Sequence, residues 1–447
     1  MIRKRPKTII KERSSHTVSR KDIDENAVNV LYRLTRKGYT AYLVGGGVRD
    51  LLLGRNPKDF DVSTDARPRQ IQRLFRTAYL IGRRFRLVHV KFGDVVIETS
   101  TFRCQPDPAA QTDDGSLYHN SDNTYGTPEE DARRRDFTIN ALFYDITTFS
   151  VIDHVGGLRD LDRGIVRCIG DPDVRFQEDP VRMLRAVRFA ARLGFTIERK
   201  TLKSITKYRD HIAITPAARL LEEVYRLFPF KSGKRAIKLL QETRLLRAMM
   251  PELDTFLKRG NNALFWNCLE ALDELGDDEG TPPNPALIFS VLVYPEYKKI
   301  VERESAKHGR VDDLQIARDV MAPFVERLKP PRRVFFDTIH MLAGQKRFQP
   351  DRRHGSPERF AAHPDFPVIL ALHEVIVMAE GGDLAKIAEW KDLLEKVQPA
   401  EKRAKRERDR RPRRRPRRRK PSGDGKSGGK PGGKNTSSDK RPKSSSD

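Results

Sequence analysis

The chain has 447 residues, with 87 Lys or Arg against 62 Asp or Glu, which gives a net charge of +25 and a pI of about 10.0. This length allows two or three domains, and the excess of positive charge favours a polyanionic partner. Three widely spaced cysteines, Cys104, Cys168 and Cys268, exclude a disulfide scaffold and a cysteine-based zinc site.

The first twenty residues are polar and basic and lack the apolar core of a secretory signal. We expect residues 1–20 to form a loose basic extension. No stretch of the chain approaches the roughly 18 uninterrupted apolar residues of a membrane span, so we expect a cytoplasmic protein without such a span. Lys21–Lys37 has apolar residues at helical spacing, and Gly38 ends this predicted helix.

Next comes a stretch that combines a strand, a glycine turn and two carboxylates. We predict a buried strand over Ala41–Val44, a short helix over Val48–Leu53 and a second strand over Lys58–Val62. Gly45, Gly46 and Gly47 lie between the first strand and the helix. Glycines leave the main chain open to a phosphate, and the N-terminus of a helix offers free N–H donors.

Asp59 and Asp61 are two residues apart, so in a strand both carboxylates face the same side. Two converging carboxylates repel each other unless a cation lies between them. Oxygen ligands suit magnesium, especially magnesium that arrives with phosphates. The stretch therefore predicts a nucleoside triphosphate held on magnesium. The plainer interpretation is a flexible turn with two aspartates of the kind that turns favour.

The order GGxxRD, short helix, DFD resembles the nucleotidyltransferase superfamily of the DNA polymerase β type. More closely, it resembles the branch that holds the bacterial poly(A) polymerases and the tRNA CCA-adding enzymes. The resemblance spans Asn29 to about Phe228. It implies an α+β fold in which a small mixed β-sheet nucleotidyltransferase head precedes all-helical neck and body domains and a disordered basic tail. It also implies that Gly45, Gly46 and Arg49 bind the nucleotide.

After a predicted helix at Pro68–Phe75, three arginines interrupt the predicted strand Leu80–Val90: Arg83, Arg84 and Arg86. They either protect an edge strand from pairing or contact RNA or the triphosphate. The segment GRRFRLVH resembles a signature of bacterial poly(A) polymerases, at a place where CCA-adding enzymes carry a less basic segment.

Glu98 breaks the apolar run of a third predicted strand, Val95–Phe102. A buried carboxylate is costly unless it is paired or bound to metal. The resemblance implies a third acidic residue of the active site, and an outward-facing strand residue is the equal alternative. Cys104–Asn123 is predicted to be a loop, either a lid over the substrates or a plain surface loop.

The charged segment Glu129–Asn140 runs directly into a predicted strand, Ala141–Ile146. A charged run ordinarily marks a solvated face, but here some of its arginines must lie near the sheet. By resemblance, the RRDFTxNA motif belongs to the active site, where Arg135 contacts the triphosphate and Asp136 organises it. We predict that Asp153–Asp162 is a turn that leaves the sheet.

Asp179 precedes Pro180 and is predicted to cap a helix that runs to Leu193. Adenine and cytosine each present an amino donor beside a ring-nitrogen acceptor, which an aspartate and an arginine can satisfy together. Guanine and uracil present the reverse pattern and leave both groups unsatisfied, at about 1–3 kcal/mol per buried group.

Arg182, Arg185 and Arg188 form a stripe along the same predicted helix. By resemblance to the EDxxR motif, Asp179 and Arg182 read the base, and Arg185 and Arg188 contact phosphate or base. The plainer alternatives are a helix cap and a solvated basic face.

The C-terminal half shows no further chemistry. Pro216–Phe228 is predicted to be a helix in which Arg219 and Glu222 could pair, and Lys231–Gln398 contains only apolar helical segments. Glu401–Asp447 holds 20 Lys or Arg against 6 Asp or Glu, which is +14 of the total charge of +25. We expect this tail to be disordered and to bind phosphate backbones, with a solubility tail as the alternative. Its candidate RNA contacts are Arg413, Arg414, Arg415, Arg417, Arg418 and Arg419.

We therefore expect a basic extension (1–20), a catalytic head (21–165), a base-reading neck (166–230), an RNA-binding body (231–400) and a tail (401–447). The expected reaction adds AMP from ATP to single-stranded RNA 3′ ends, with two Mg²⁺ ions on Asp59 and Asp61.

Two alternative functions stay open. One is a tRNA CCA-adding enzyme, which Asp179 and Arg182 would also suit, although the GRRFR segment and the basic tail speak against it. The other is a non-catalytic RNA-binding protein with an inactive head, against which the complete motif set speaks.

Overall fold

The computed structural model describes residues 7–82, 87–104, 124–260, 262–348 and 356–410, with side chains described as far as Val397. The chain divides into two compact units, Met1–Val397 and Gln398–Asp447. Arg83, Arg84 and Arg86, the predicted loop after Cys104 and the tail arginines from Arg413 to Arg419 lie outside the described residues.

The N-terminal part is built on a mixed sheet of eight strands in the order β1-β8-β7-β2-β3-β6-β5-β4. Every neighbouring pair is antiparallel except β3 and β6, which are parallel. The strands are β1 (Ile9–Lys11), β2 (Ala41–Val44), β3 (Asp61–Thr64), β4 (Ala78–Ile81), β5 (Leu87–Phe92), β6 (Val95–Thr101), β7 (Leu142–Asp145) and β8 (Ser150–Asp153). A parallel pair, β9 (Ile165–Val166) and β10 (Thr196–Ile197), stands apart from this sheet.

Five helices accompany the large sheet: α1 (Glu25–Thr35), α2 (Gly46–Leu52), α3 (Pro68–Leu74), α4 (Pro128–Arg134) and α5 (Gly157–Asp162). Helix α1 begins where the Asp24 carboxylate accepts hydrogen bonds from the N–H groups of Asn26 and Ala27. Its apolar stripe is fully buried, with Val30 and Leu31 at 0% exposure. The predicted helix at Lys21–Lys37 is therefore confirmed in a shorter form.

Two local predictions in the head are wrong. Residues 7–20 are not loose, because β1 pairs with β8 and makes the N-terminal segment an edge of the sheet. Asp153–Asp162 is not only a turn, because the Asp153 carboxylate accepts hydrogen bonds from the N–H groups of Gly156 and Gly157 at the start of α5. A buried aspartate thus ends a strand and begins a helix within one short segment.

The predicted strand Leu80–Val90 is also wrong as a single element. It corresponds to the end of β4 and most of β5, which pair antiparallel with Ile81 opposite Leu87. The predicted strand Lys58–Val62 begins later than expected, at Asp61, so Asp59 precedes β3.

Four helices follow the head: α6 (Pro172–Glu178), α7 (Val181–Leu193), α8 (Arg199–Tyr208) and α9 (Ala217–Tyr225). The apolar residues of α7 share one face at helical spacing, and Met183, Leu184 and Val187 on it are fully buried. Gly194 ends the helix in a left-handed conformation with φ of 79°. The opposite face of α7 carries the arginines and is turned toward the head.

The predicted helical body is confirmed. It contains α10 (Gly233–Glu242), α11 (Leu245–Met249), α12 (Pro251–Lys258), α13 (Ala263–Glu274), α14 (Pro285–His308), α15 (Asp313–Leu328), α16 (Arg332–Gly344), α17 (Pro357–Ala361), α18 (Phe366–Ala379) and α19 (Leu384–Arg410). Helix α19 continues ten residues into the range predicted as tail. No helix in the described ranges is both long enough and apolar enough to cross a lipid bilayer.

Candidate active site

A cavity of about 570 Å³ lies between the glycine turn after β2 and the helices α7 and α9. It brings together most of the predicted site residues: Gly45, Gly46, Arg49, Asp59, Asp61, Arg135, Asp136, Asp179, Arg182 and Arg185. Two predicted residues among the described ones, Glu98 and Arg188, do not line it. Motifs far apart in sequence therefore form one site.

The glycines after β2 let other parts of the chain come close. Gly45 forms the turn, and Gly46 and Gly47 begin α2, which starts two residues earlier than predicted. Gly45 has φ of 75°, a conformation that side chains rarely adopt, and a Cβ atom there would lie 3.1 Å from Nη1 of Arg135. A Cβ atom on Gly47 would lie 3.3 Å from the carbonyl oxygen of Asp59. The turn and the start of α2 thus pack directly against the segments that carry the predicted metal and triphosphate residues.

Asp61 and Glu98 are neighbours across the parallel pair β3 and β6, since each directly precedes the paired residues Val62 and Thr99. Burial raises the pKa of Asp61 to about 6, with Glu98 and Asp59 adding to the rise and Arg135 opposing it. Asp59 lies outside the strand, but it lines the same cavity as Asp61. The negative charge of Asp61 is therefore poorly compensated by the protein alone.

The carboxylates of Asp59 and Asp61 fit a magnesium ion that is bound together with a substrate. Among the described residues, no group of three or more His, Cys, Asp or Glu side chains is arranged to hold an ion. Magnesium is commonly bound by one or two carboxylates together with substrate phosphates and waters. Asp59 and Asp61 therefore suit magnesium that arrives with a nucleotide, and not a permanently coordinated ion.

Glu98 lies on β6 outside the cavity, as the alternative of an outward-facing strand residue implies. Its side chain is half exposed, and its Oε1 lies 3.4 Å from Nε2 of His89 on β5. It influences the site through its charge, which contributes to the raised pKa of Asp61. A direct catalytic role for Glu98 stays a prediction.

Arg49 is buried and its guanidinium is held by the protein. Nε donates to Oδ1 of Asp50 at 2.8 Å, and Nη1 donates to the side chain of Asn140. The guanidinium also stacks 5.2 Å from the ring centre of Phe189 on α7. Arg49 thus joins α2 to the loop before β7 and to α7, and its contact with a nucleotide stays a prediction.

Arg135 is positioned by a buried carboxylate. Its Nη2 donates to Oδ2 of Asp131 at 2.9 Å, and Nε of Arg134 donates to Oδ1 at 3.0 Å. Burial alone would raise the pKa of Asp131, but the two arginines lower it below its ordinary value. Since Arg135 is only 22% exposed and lines the cavity, its cation is fixed where a phosphate could bind.

Asp136 connects the head to α7. Its Oδ1 accepts hydrogen bonds from the N–H of Phe137 and from Nδ2 of Asn140, and its Oδ2 accepts from Nε of Arg185 at 2.8 Å. Burial would raise the pKa of Asp136, but the Arg185 charge and these hydrogen bonds lower it to about 2. These contacts support the predicted organising role of Asp136.

Replacing Asp136 by asparagine should lower the free energy of unfolding by about 1.5–3 kcal/mol, because the partly exposed Arg185 loses its charge-assisted hydrogen bonds to Asp136 and keeps only Glu223, 4.0 Å away, as an ion-pair partner among the described residues. The pH dependence should change too. An aspartate titrates near 3.9 in an unfolded chain and near 2 here, so this carboxylate stabilises the fold above about pH 4 and stops doing so between about pH 4 and pH 2.

Denaturant unfolding followed across this pH range measures both effects. The variant Asp94→Asn, at the exposed turn between β5 and β6, is the control and should behave as the parent protein. An Asp136→Asn protein with the parent's stability and acid dependence would contradict the assignment.

Asp179 is not the N-cap of α7, which corrects the sequence prediction. Helix α6 ends at Glu178, and Pro180 precedes α7 without a side-chain cap. The Asp179 carboxylate instead accepts a hydrogen bond from Nη2 of Arg219 on α9, with 3.1 Å between Nη2 and Oδ2. The predicted Arg219–Glu222 pair is therefore wrong as well, and Glu222 pairs with Arg226.

The remaining arginines of α7 differ in their surroundings. Arg182 donates through Nη1 to the carbonyl of Arg175 at 3.0 Å and to Glu178 at 3.1 Å. Arg188 lies 2.9 Å from the buried Glu223, and burial lowers the pKa of Arg188 to about 10. Phosphate or base contact by Arg185 and Arg188 stays a prediction.

Several cavity residues escaped the sequence prediction. Arg192 donates to Oδ2 of Asp50 at 2.9 Å and stacks 3.7 Å from the ring centre of Phe230. Its position was foreseeable, because it continues the arginine stripe of α7 by four residues from Arg188. The others gave no signal of their own. Asp50, Lys58 and Asn140 lie within or beside the quoted motifs, whereas Arg219, Glu223 and Arg226 lie on α9 or at its end.

The chain matches two family models. Residues 41–167 match the model described as "Poly A polymerase head domain", and residues 194–257 match "Probable RNA and SrmB- binding site of polymerase A". The first range covers most of the sheet, and the second begins after α7 and ends within α12.

Curated and solved relatives agree with these matches. The poly(A) polymerase I of Salmonella typhi is 39% identical over 402 residues, which cover 86% of this chain and 85% of that protein. A CCA-adding enzyme of Bacillus pumilus is 32% identical over 337 residues, which cover 70% of this chain and 80% of that enzyme. The solved structure of the Bacillus stearothermophilus CCA-adding enzyme in complex with CTP superposes with a TM-score of 0.61 at 26% identity, covering 84% of this chain and 82% of that one. The similarity thus reaches well beyond the half of the chain that carries the motifs.

Proposed function

The chain belongs to the family of bacterial poly(A) polymerases, and we propose on this basis that its cavity transfers AMP from ATP to RNA 3′ ends without a template. The protein is a nucleotidyltransferase with a polymerase-β-like head. The observation that carries the assignment is the convergence of the GGxxRD, DFD, RRDFTxN and EDxxR motifs on one cavity, in a chain that is 39% identical to a poly(A) polymerase I over 86% of its length.

In the reaction, the RNA 3′-oxygen attacks the α-phosphorus of ATP, pyrophosphate leaves, and AMP remains on the RNA. Asp59 and Asp61 would hold the two magnesium ions, because their carboxylates line one cavity and the charge of Asp61 is poorly compensated. Bound there, magnesium would activate the 3′-hydroxyl and neutralise the departing pyrophosphate.

The chain's own residues orient the triphosphate and the base. The glycine turn admits the triphosphate against the main chain, and Arg135, fixed by Asp131, supplies a cation beside it. The hydrogen bonds between Asp136 and Arg185 hold α7 against the head, so that the base site and the phosphate site keep a constant separation. Such positioning is a main source of catalysis in phosphoryl transfer.

Asp179 and Arg182 are the proposed readers of the base. Both line the cavity, and Asp179 is not engaged in capping a helix. Oδ1 of Asp179 has no hydrogen-bond partner in the part of the chain that the structure describes, so it can accept from an amino group. Arg182 can donate to the adjacent ring nitrogen.

CCA addition is the rival function, since the relatives of this chain include CCA-adding enzymes. A tRNA without its CCA end, supplied with CTP and ATP, distinguishes the two functions. We expect AMP residues to be added directly, in long runs, and equally to RNAs that are not tRNA. Addition of C, C and A followed by arrest, on tRNA alone, would overturn the proposal.

Removing residues 411–447 should weaken RNA binding and flatten its salt dependence, with a smaller effect on the KM for ATP. The logarithm of the RNA-binding constant falls linearly with the logarithm of the salt concentration, and each lost phosphate contact lowers this slope by about 0.7 for a single strand. RNA affinity measured from low to high salt checks this result.

A tail of the same composition in scrambled order is the matched control, because backbone contacts depend on charge and not on order. It should keep the parent slope. An unchanged slope after truncation would show that the tail does not contact RNA.

A further inference from the structure

One ion pair at the edge of the cavity is not explained by the functions assigned so far. Nη2 of Arg219, in the first turn of α9, donates to Oδ2 of Asp179 at 3.1 Å. Both side chains line the cavity, and they are 54% and 28% exposed, respectively. An exposed pair of this kind contributes little to stability, so its position beside the proposed base reader is the feature to explain.

Asp179 lines the cavity together with two arginines from different helices. Arg182 belongs to α7 and donates to Glu178 and to the carbonyl of Arg175, on the side of α6. Arg219 belongs to α9 and approaches the carboxylate through Oδ2. The cavity therefore offers a donor, an acceptor and a second donor.

This set of groups matches one edge of adenine. N1 is an acceptor, the 6-amino group is a donor, and N7 on its far side is an acceptor. Cytosine offers only the first two, since its ring nitrogen and amino group are followed by a C5–H group. Asp179 and Arg182 alone would accept either base, whereas a third group that contacts N7 would favour adenine.

We propose that Arg219 is a specificity residue that donates a hydrogen bond to N7 of adenine while it stays paired with Asp179. The inference rests on the proposed function and deepens it, because it supplies a physical basis for the choice of ATP over CTP. A guanidinium has five N–H donors in a rigid plane. It can therefore serve a carboxylate and a ring nitrogen together.

A second interpretation makes Arg219 a positioning residue that only orients the Asp179 carboxylate. The two interpretations predict different effects on CTP. If Arg219 acts through Asp179, its loss weakens recognition of both bases, because both carry the amino group. If Arg219 also contacts N7, its loss weakens the use of ATP more than the use of CTP.

The first experiment needs no variant. The parent protein is given ATP or 7-deaza-ATP, in which a C–H group replaces N7 and the amino group and N1 are retained. We expect kcat/KM to be about tenfold to a hundredfold lower with 7-deaza-ATP, as for loss of a hydrogen bond to a charged group. Equal use of the two nucleotides would overturn the inference.

The second experiment uses Arg219→Met, which keeps the length of the side chain and removes its donors. We expect its kcat/KM for ATP to fall to the level of 7-deaza-ATP, the ratio between the two nucleotides to approach one, and the loss with ATP to exceed the loss with CTP, which has no ring nitrogen at that position. Because Arg219 is exposed, the variant should unfold at the parent temperature. Equal losses with ATP and CTP would show a positioning role and contradict N7 contact.

Lys207→Met is the matched control. Lys207 is also an exposed cation paired with an aspartate, Asp173, but it lies outside the cavity. This control should keep the parent ratio between ATP and 7-deaza-ATP. If the parent protein does not use ATP at all, the proposed function fails; if it uses ATP and 7-deaza-ATP equally well, only the role of Arg219 fails.

Discussion

Replacing Asp61 by asparagine should reduce AMP addition by about 10³-fold or more while the protein stays folded. A carboxylate that holds a catalytic metal supports transition-state stabilisation of several kcal/mol, and each 1.4 kcal/mol corresponds to about tenfold in rate. Asp59→Asn should have an effect of the same order, since Asp59 lines the same cavity. Single-nucleotide addition with magnesium in excess measures both.

The stability of the Asp61→Asn variant gives a second readout. The folded protein raises the pKa of Asp61 to about 6, whereas an unfolded aspartate titrates near 3.9. The ionised carboxylate therefore destabilises the fold at neutral pH in the absence of metal. We expect the variant to unfold at a higher denaturant concentration than the parent when magnesium is removed.

Asp94→Asn is the control for both measurements, because Asp94 is an exposed turn residue outside the cavity. It should change neither turnover nor stability. Near-normal turnover by the Asp61→Asn protein would exclude the assignment of Asp61 as a metal ligand.

Replacing Asp179 or Arg182 by alanine should reduce the use of ATP by tens of fold or more. Each change removes one hydrogen bond to a charged group, which is worth about 1.5–3 kcal/mol in a buried site. Both variants should also discriminate less well against GTP and UTP. In the parent protein, the reversed donor and acceptor pattern of guanine or uracil leaves the Asp179 and Arg182 side chains without hydrogen bonds, and each variant lacks one of these side chains. The kcat/KM values for the four nucleotides measure both effects.

Asp179→Ser separates base reading from a structural role. The structure removes helix capping as an explanation, because α7 begins after Pro180 without a side-chain cap, so stability should change little in either Asp179 variant. Serine cannot match a carboxylate as an acceptor for the amino group. Full activity and full selectivity in Asp179→Ser would mean that Asp179 does not read the base.

The features that could be predicted from the sequence are those that depend on local pattern. The strand Ala41–Val44 is the same in prediction and structure, and the buried stripe of α7 follows from its apolar spacing. The candidate site could be predicted for a similar reason, since its residues are carried by short motifs. Their gathering in one cavity was implied by the family resemblance and not by spacing.

The features that could not be predicted depend on distant partners. Ile9 in β1 is opposite Asp153 in β8, and no local pattern in a polar segment indicates such a partner. The helix stop at Glu178 was missed because Asp179-Pro180 has the composition of a helix start. In the structure, Arg219 engages the Asp179 carboxylate from another helix, 40 residues away, which local rules cannot detect.

The most direct test of the central claim incubates the protein, magnesium and an unstructured RNA unrelated to tRNA with each nucleoside triphosphate separately. We predict that ATP alone extends the RNA by many residues, that CTP is used poorly, and that GTP and UTP are refused. The 3′ products should be homopolymers of A. Failure of ATP to extend this RNA, or extension with CTP as efficient as with ATP, would contradict the assignment of this cavity as an AMP-adding site.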